Sequence, residues 1–249
     1  MSGDQTPIWV QLVIPALTAV SAALGAMVVS QYQKAKNARE VSVAKEISNR
    51  LKYLDPLRLA TENLAWKLFT IEQKIRQKQL GSGGLDWMLN TFHCVKEPEE
   101  ILHRTPSTKE FAFWCNGEGF FAVSTIYVTA VYFYHARRTR REYVDDKELI
   151  QKLDAIRLAF GHEYGIYALL QDSIGEYMCA DDKMEIGYRT FCLKMYQEEE
   201  RLWLLNVLDY FREIDKKTDA QRFAISSAVN DLLSDLGRKT GMIVRLPHE

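Results

Sequence analysis

The order of apolar and polar positions predicts helix almost throughout this chain. Residues 8–30 read "IWVQLVIPALTAVSAALGAMVVS", and no charge occurs between Asp4 and Lys34. Residues 31–53 are charged but hold no Gly or Pro. Within and just after them Ala44, Ile47, Leu51 and Leu54 recur at the narrow spacing of a helical seam, as in a stalk. Asp55-Pro56 predicts a helix start, with Asp as the cap and Pro in the first turn. Leu57, Ala60, Leu64, Leu68, Ile71 and Ile75 then mark one face, with Trp66 and Phe69 beside it. "GSGG" at 81–84 is a breaker, a short helix follows around Trp87–Phe92, and 94–107 reads mostly as loop.

Ser107 and Glu110 form a capping box ahead of an aromatic helix, which Gly117 and Gly119 bend near its start. Asp145 with Glu148 opens the next helix, whose core face is Leu149, Leu153, Ile156 and Phe160 and which Gly161 ends. Ile166, Leu169, Leu170, Ile174, Tyr177 and Met178 belong to another. Residues 187–214 read as one long helix carrying Phe191, Met195, Leu202, Leu205, Leu208 and Phe211. Thr218 with Gln221 caps the last, where Ile225, Val229, Leu232 and Leu236 line one face and Gly237 and Gly241 allow a stop. The expected fold is all-α: an anchor over 1–30, a stalk over 31–54, a helical bundle over 55–241 and a tail over 242–249.

The uncharged run 8–30 is long enough, at about 1.5 Å per residue, to cross a hydrocarbon layer of about 30 Å. Its N-terminal flank has no Lys or Arg, whereas Lys34, Lys36, Arg39 and Lys45 follow it. Positive residues stay inside, so a single-pass helix with its N-terminus outside and a cytoplasmic body is expected, at a bacterial inner membrane. A cleaved signal peptide is the competing reading, but the basic leader region is missing. Ser21 with Gly25, and Ala22 with Ala26, have the small-residue spacing that lets helix backbones approach closely. Gln11, Thr18 and Ser21 lie on roughly one face and would line a weakly polar pore on oligomerisation.

A second apolar stretch, "GFFAVSTIYVTAVYFYHARRTRR" at 119–141, poses the opposite problem. If it also crossed, Arg137, Arg138, Arg140 and Arg141 would lie outside, against the positive-inside rule. Tyr127, Tyr132 and Tyr134 also suit a protein interior better than lipid. The stretch is therefore expected to be a central core helix. With Trp114 and Phe121, these tyrosines are candidates to line an apolar cavity.

The 249 residues are 47 % apolar and 26 % charged, with formal net charge -1, so nothing draws the chain onto nucleic acid. Cys94, Cys115, Cys179 and Cys192 form no C-x-x-C pair and read as buried free thiols; neither a metal nor a cofactor is expected. Glu100-x-x-His103 lacks the second copy that a di-iron bundle needs. His162-Glu163 lacks a zinc protease's second histidine, and His93-Cys94 supplies too few ligands. "QEEE" at 197–200 reads as a solvated face. The arginine patch at 137–141 is the strongest candidate surface, either paired with the acids that follow it or facing anionic lipid. Glu176, among apolar neighbours, is expected to meet a core-edge arginine.

Asp55-Pro56-Leu57 with Ala60, Leu64, Leu68 and Ile71 resembles a recurring "DPL..A...L...L..I" segment. Ala122, Ser124, Tyr127, Ala130, Tyr132 and Phe133 resemble "A.S..Y..A.YF", and Ile174-Gly175-Glu176 with Met178 resembles "IGE.M". Over residues 53–180 the chain thus resembles a bacterial family of uncharacterised helical proteins, many with one N-terminal membrane helix. That resemblance implies an α-helical fold and brings no catalytic residue. The expectation is a non-enzymatic, self-associating interaction or scaffold module that recruits or senses a protein partner at the membrane. A stress or phage-defence setting is an analogy of build alone. The alternatives are a bundle binding a lipid or other small apolar ligand, and an oligomeric pore.

Overall fold

A 3.6-residue apolar period makes helices, and among the described residues every regular element is one. The computed structural model describes residues 8–77, 107–117, 119–143, 145–162, 165–180 and 184–247, with side chains from Met27 onward except at 28, 29, 198, 202 and 212. The readings at 81–84, Trp87–Phe92, Glu100, His103 and His93-Cys94 lie outside those residues, as do the side chains of Gln11, Thr18, Ser21, Ala22, Gly25 and Ala26. The only β pairing among the described residues is an antiparallel bridge between Cys179 and Glu185.

The chain divides into two units, Met1–Asn49 and Arg50–Glu249. The first holds α1, Ile8–Asn49. Its described side chains from residue 30 to 48 are exposed, including Val41, Val43, Ala44 and Ile47. No helix is long and apolar enough to cross a membrane among the described residues.

The second unit opens with a π-helical turn at Arg50–Leu54, followed by α2 at Asp55–Arg76. Next come α3 (Thr108–Asn116), α4 (Phe120–Glu142), α5 (Lys147–Gly161) and α6 (Ala168–Tyr177). They are followed by α7 (Tyr188–Tyr196), α8 (Glu198–Leu202), α9 (Leu205–Arg212), a 3-10 turn at Ile214–Lys216 and α10 (Asp219–Thr240). The last five residues of the expected stalk belong to this unit: Tyr53 and Leu54 are buried, and the Tyr53 ring stacks on Tyr143 at 5.9 Å.

Helix α4 is the spine. It packs on the π turn and on α2, α3, α5, α6, α7 and α9, while α10 closes the bundle against α2 and α5. Ala122, Val123, Ile126, Ala130, Tyr132 and Phe133 are all essentially inaccessible. Helix α6 comes close enough to α4 that a Cβ on Gly175 would sit 2.9 Å from the Phe133 carbonyl oxygen. A glycine is thus required at this crossing.

The two expected capping boxes are present, Ser107 with Glu110 and Thr218 with Gln221. Gly241, at φ 64, ends α10 in the left-handed conformation that favours glycine. Four expectations are corrected. Asp55 does not cap α2, because the π turn runs directly into it; Asp55 instead pairs with Arg50 at 3.7 Å. The cap of α5 is Asp146, which accepts from the Leu149 amide at 3.1 Å, not Asp145. The aromatic helix is broken into α3 and α4 at Gly117–Gly119 rather than bent. The span 187–214 is not one helix: Gln197 is extended and a turn at Trp203-Leu204 precedes α9. At 100° per residue, buried Met195 and Leu204 would lie about 180° apart on one straight helix. Only a broken helix brings both to one core.

Candidate functional site

Three polar clusters lie along α4. At its C-terminal end the arginine run meets acids on α5 and α6. Arg140 reaches Asp172 at 2.9 Å and Asp154 at 3.7 Å, and Arg157 of α5 reaches the other Asp172 oxygen at 2.7 Å. Burial first, and then the neighbouring Arg157 charge, lower the Arg140 pKa. Arg137 pairs with the well-exposed Glu176 at 2.9 Å. Arg138 approaches Glu142 at 3.7 Å and lies over the Tyr53 ring at 5.6 Å. Arg141 is exposed and has no ion-pair partner among the described residues. Within the run Arg137, Arg138 and Arg140 each have an acidic neighbour, and Arg141 is exposed.

At the N-terminal end of α4, Lys67 of α2 donates to Ser124 Oγ at 2.8 Å. Its ammonium lies 4.7 Å from the centre of the Phe121 ring, and that of Lys74 lies 4.3 Å from the same ring. Neither lysine has a carboxylate partner among the described residues. Burial, reinforced by the Lys74 charge, lowers the Lys67 pKa to about 8. A nucleophilic hydroxyl beside a depressed amine is one part of a serine–lysine catalytic pair. Here, however, Ser124 donates back to the Phe121 carbonyl at 3.1 Å.

Along the middle of α4, Tyr127 contacts the rings of Tyr188 and Phe191, each at 5.3 Å. His135 Nε2 lies 2.5 Å from Glu185 Oε2, tying α4 to the bridged loop before α7. Cys115 and Cys192 are buried free thiols on α3 and α7, and the Tyr188 hydroxyl of α7 donates to the Cys115 carbonyl at 2.9 Å.

The candidate aromatics lie in and against the core. Tyr132 and Tyr134 are buried in the core, while Trp114, Phe121 and Tyr127 are half-buried against it. A cavity of about 910 Å³ lies elsewhere, between α2 and α10, lined by Phe69, Ile75, Arg222, Phe223, Asn230 and Pro247 among others. None of the five aromatics lines it. No cluster of three or more metal-ligand side chains occurs among the described residues.

Sequence reasoning did not single out Asp172 or Lys67. Asp172 carries no local signal, since its role depends on how α6 crosses α4. Lys67 does carry one: it stands three residues from Leu64 and four from Ile71, at an apolar position of the α2 stripe. No protein-family model matches the chain, and no curated protein or solved structure matches it.

Proposed function

We propose that this chain is a membrane-anchored helical interaction module that self-associates through its N-terminal helix. The anchor is the uncharged run Ile8–Ser30, oriented by the lysines and arginine after it so that the bundle lies in a bacterial cytoplasm. The observation that carries self-association is exposure. Val43 and Ile47, one turn apart on α1, are each 53 % exposed, and Val41 is 69 % exposed. The occupant that fits this stripe is a second copy of α1, because like helices bring the seam and the Ser21–Gly25 and Ala22–Ala26 pairs into contact together. Arg141, exposed and without an ion-pair partner among the described residues, would add contact with anionic headgroups. The bundle then presents its surface to a protein partner.

A second reading has an observation of its own. The cavity between α2 and α10 is large enough for a small apolar ligand such as a lipid chain. Native mass spectrometry of the full chain released from detergent reads both. A dimer or larger assembly that Val43→Asn with Ile47→Asn reduces to monomer supports self-association. Monomer at every concentration sinks it. A retained ligand mass that survives the double substitution supports the second reading.

A further inference from the structure

The two ends of α4 meet charge in opposite ways. At the C-terminal end Arg137 and Arg140 find acids. At the N-terminal end two lysines of α2 converge. Lys67 and Lys74, two helical turns apart, place their ammoniums 4.7 Å and 4.3 Å from the centre of the same Phe121 ring. Phe121 is in the first turn of α4, which carries no acid and has no side-chain cap at Gly119. The unpaired N–H groups of a helix N-terminus carry partial positive charge, which favours anions and repels ammoniums. Three sources of positive potential therefore meet at one ring, and neither lysine has a carboxylate partner among the described residues.

The local contacts hold these cations without neutralising them. A ring face attracts an ammonium only modestly. Ser124 accepts one of the three Lys67 N–H groups, at 2.8 Å. Ser124 is itself buried and donates to the Phe121 carbonyl at 3.1 Å, so the Lys67 head is held against α4. Both lysines are partly exposed, so a solute reaches them while water screens them incompletely. Burial, and then the Lys74 charge, lower the Lys67 pKa to about 8, the response of an ammonium whose charge no acid offsets.

We propose that Lys67 and Lys74, together with the N-terminus of α4, bind a phosphate group, carried by free phosphate or by a phosphomonoester. Such a group bears close to two negative charges at neutral pH, matching the two ammoniums. Its tetrahedral oxygens accept from donors that arrive from different directions, and a helix N-terminus suits them further. A carboxylate brings one charge and two oxygens in one plane. Lys67 and Lys74 are the binding residues, and Ser124 is a positioning residue that keeps Lys67 at the helix end.

The test uses the full chain, trace acetic anhydride and peptide mapping, with labelling of the Lys67 amine as the readout. Inorganic phosphate is expected to cut that labelling several-fold, because it covers the amine and raises its pKa; sodium chloride at equal ionic strength is expected not to. Lys74→Gln is expected to weaken the phosphate protection about tenfold. Thermal unfolding is the second measurement: phosphate should raise the wild-type Tm above its value in chloride, and Lys67→Met should lose that increment. Phosphatidylcholine vesicles with and without phosphatidic acid identify the source. Protection by phosphatidic acid alone assigns a lipid headgroup, and protection by inorganic phosphate assigns a soluble ligand. Equal protection by phosphate and chloride would overturn the proposal, as would protection undiminished in Lys74→Gln, or none from either phosphate source.

Discussion

Helices α1 and α4 both contain long apolar stretches, and their described surroundings are opposite. In α4 nearly every apolar side chain is covered by protein, whereas those of α1 from residue 30 to 48 are exposed. Polar groups separate the two more sharply than hydrophobicity does. Two α4 threonine hydroxyls are satisfied within their own helix: Thr125 donates to the Phe121 carbonyl at 2.7 Å and Thr129 to the Thr125 carbonyl at 2.8 Å. Its Arg137 and Arg140 find acids on α5 and α6. On α1 the exposed Lys36–Glu40 pair, at 4.0 Å, is worth little in water. The core helix thus meets its polar neighbours within the bundle, whereas the apolar side chains of α1 from residue 30 to 48 stay open.

The sharpest way to break this comparison is Phe133→Ala. Phe133 is 2 % exposed and meets the Phe160 ring at 5.4 Å. Urea unfolding of the full chain should show a loss of about 3–5 kcal/mol. A loss below about 1 kcal/mol would remove α4 from the centre of the bundle.

Lys67→Met acts in the other direction. Removing a partly desolvated ammonium that has no carboxylate partner among the described residues should stabilise the fold at neutral pH by roughly 1–2 kcal/mol, after discounting for partial exposure. The pH dependence has a definite sign. The folded value of about 8 is below the ordinary 10.5, so between them the unfolded chain holds the extra proton. Wild-type stability should therefore contain a contribution that rises with pH across that window, and the Met variant should lack it. Equal slopes in the two proteins would show that Lys67 is solvated.

The smallest effect belongs to α1. Ile47→Ser should change unfolding of the bundle by less than about 0.5 kcal/mol. A change above about 1 kcal/mol would mean that Ile47 is covered after all.

Local signals in the sequence read well. Ser107 with Glu110 and Thr218 with Gln221 were legible because a capping box is settled within four residues. The core role of the aromatic stretch was legible because four arginines on the wrong side of a membrane outweigh its hydrophobicity. What failed depends on contacts far along the chain. The break at Gln197 follows from where the Phe191–Met195 face and the Leu204–Phe211 face must meet the core, and Leu202 and Leu205 concealed it by continuing a plausible stripe. Asp55 looked like a cap because the residues before it gave no hint of a π turn. Of the candidate site, Arg137 and Glu176 were both noticed, but their pairing rests on the α4–α6 crossing that Gly175 permits.

One carboxylate has a further consequence. Asp172 on α6 receives Arg140 from α4 and Arg157 from α5. Swinging α6 away would strand two guanidinium groups at once, in a site where burial already weighs against one of them. Local opening of α6 alone is therefore penalised, and these three helices are built to loosen together as one cooperative block.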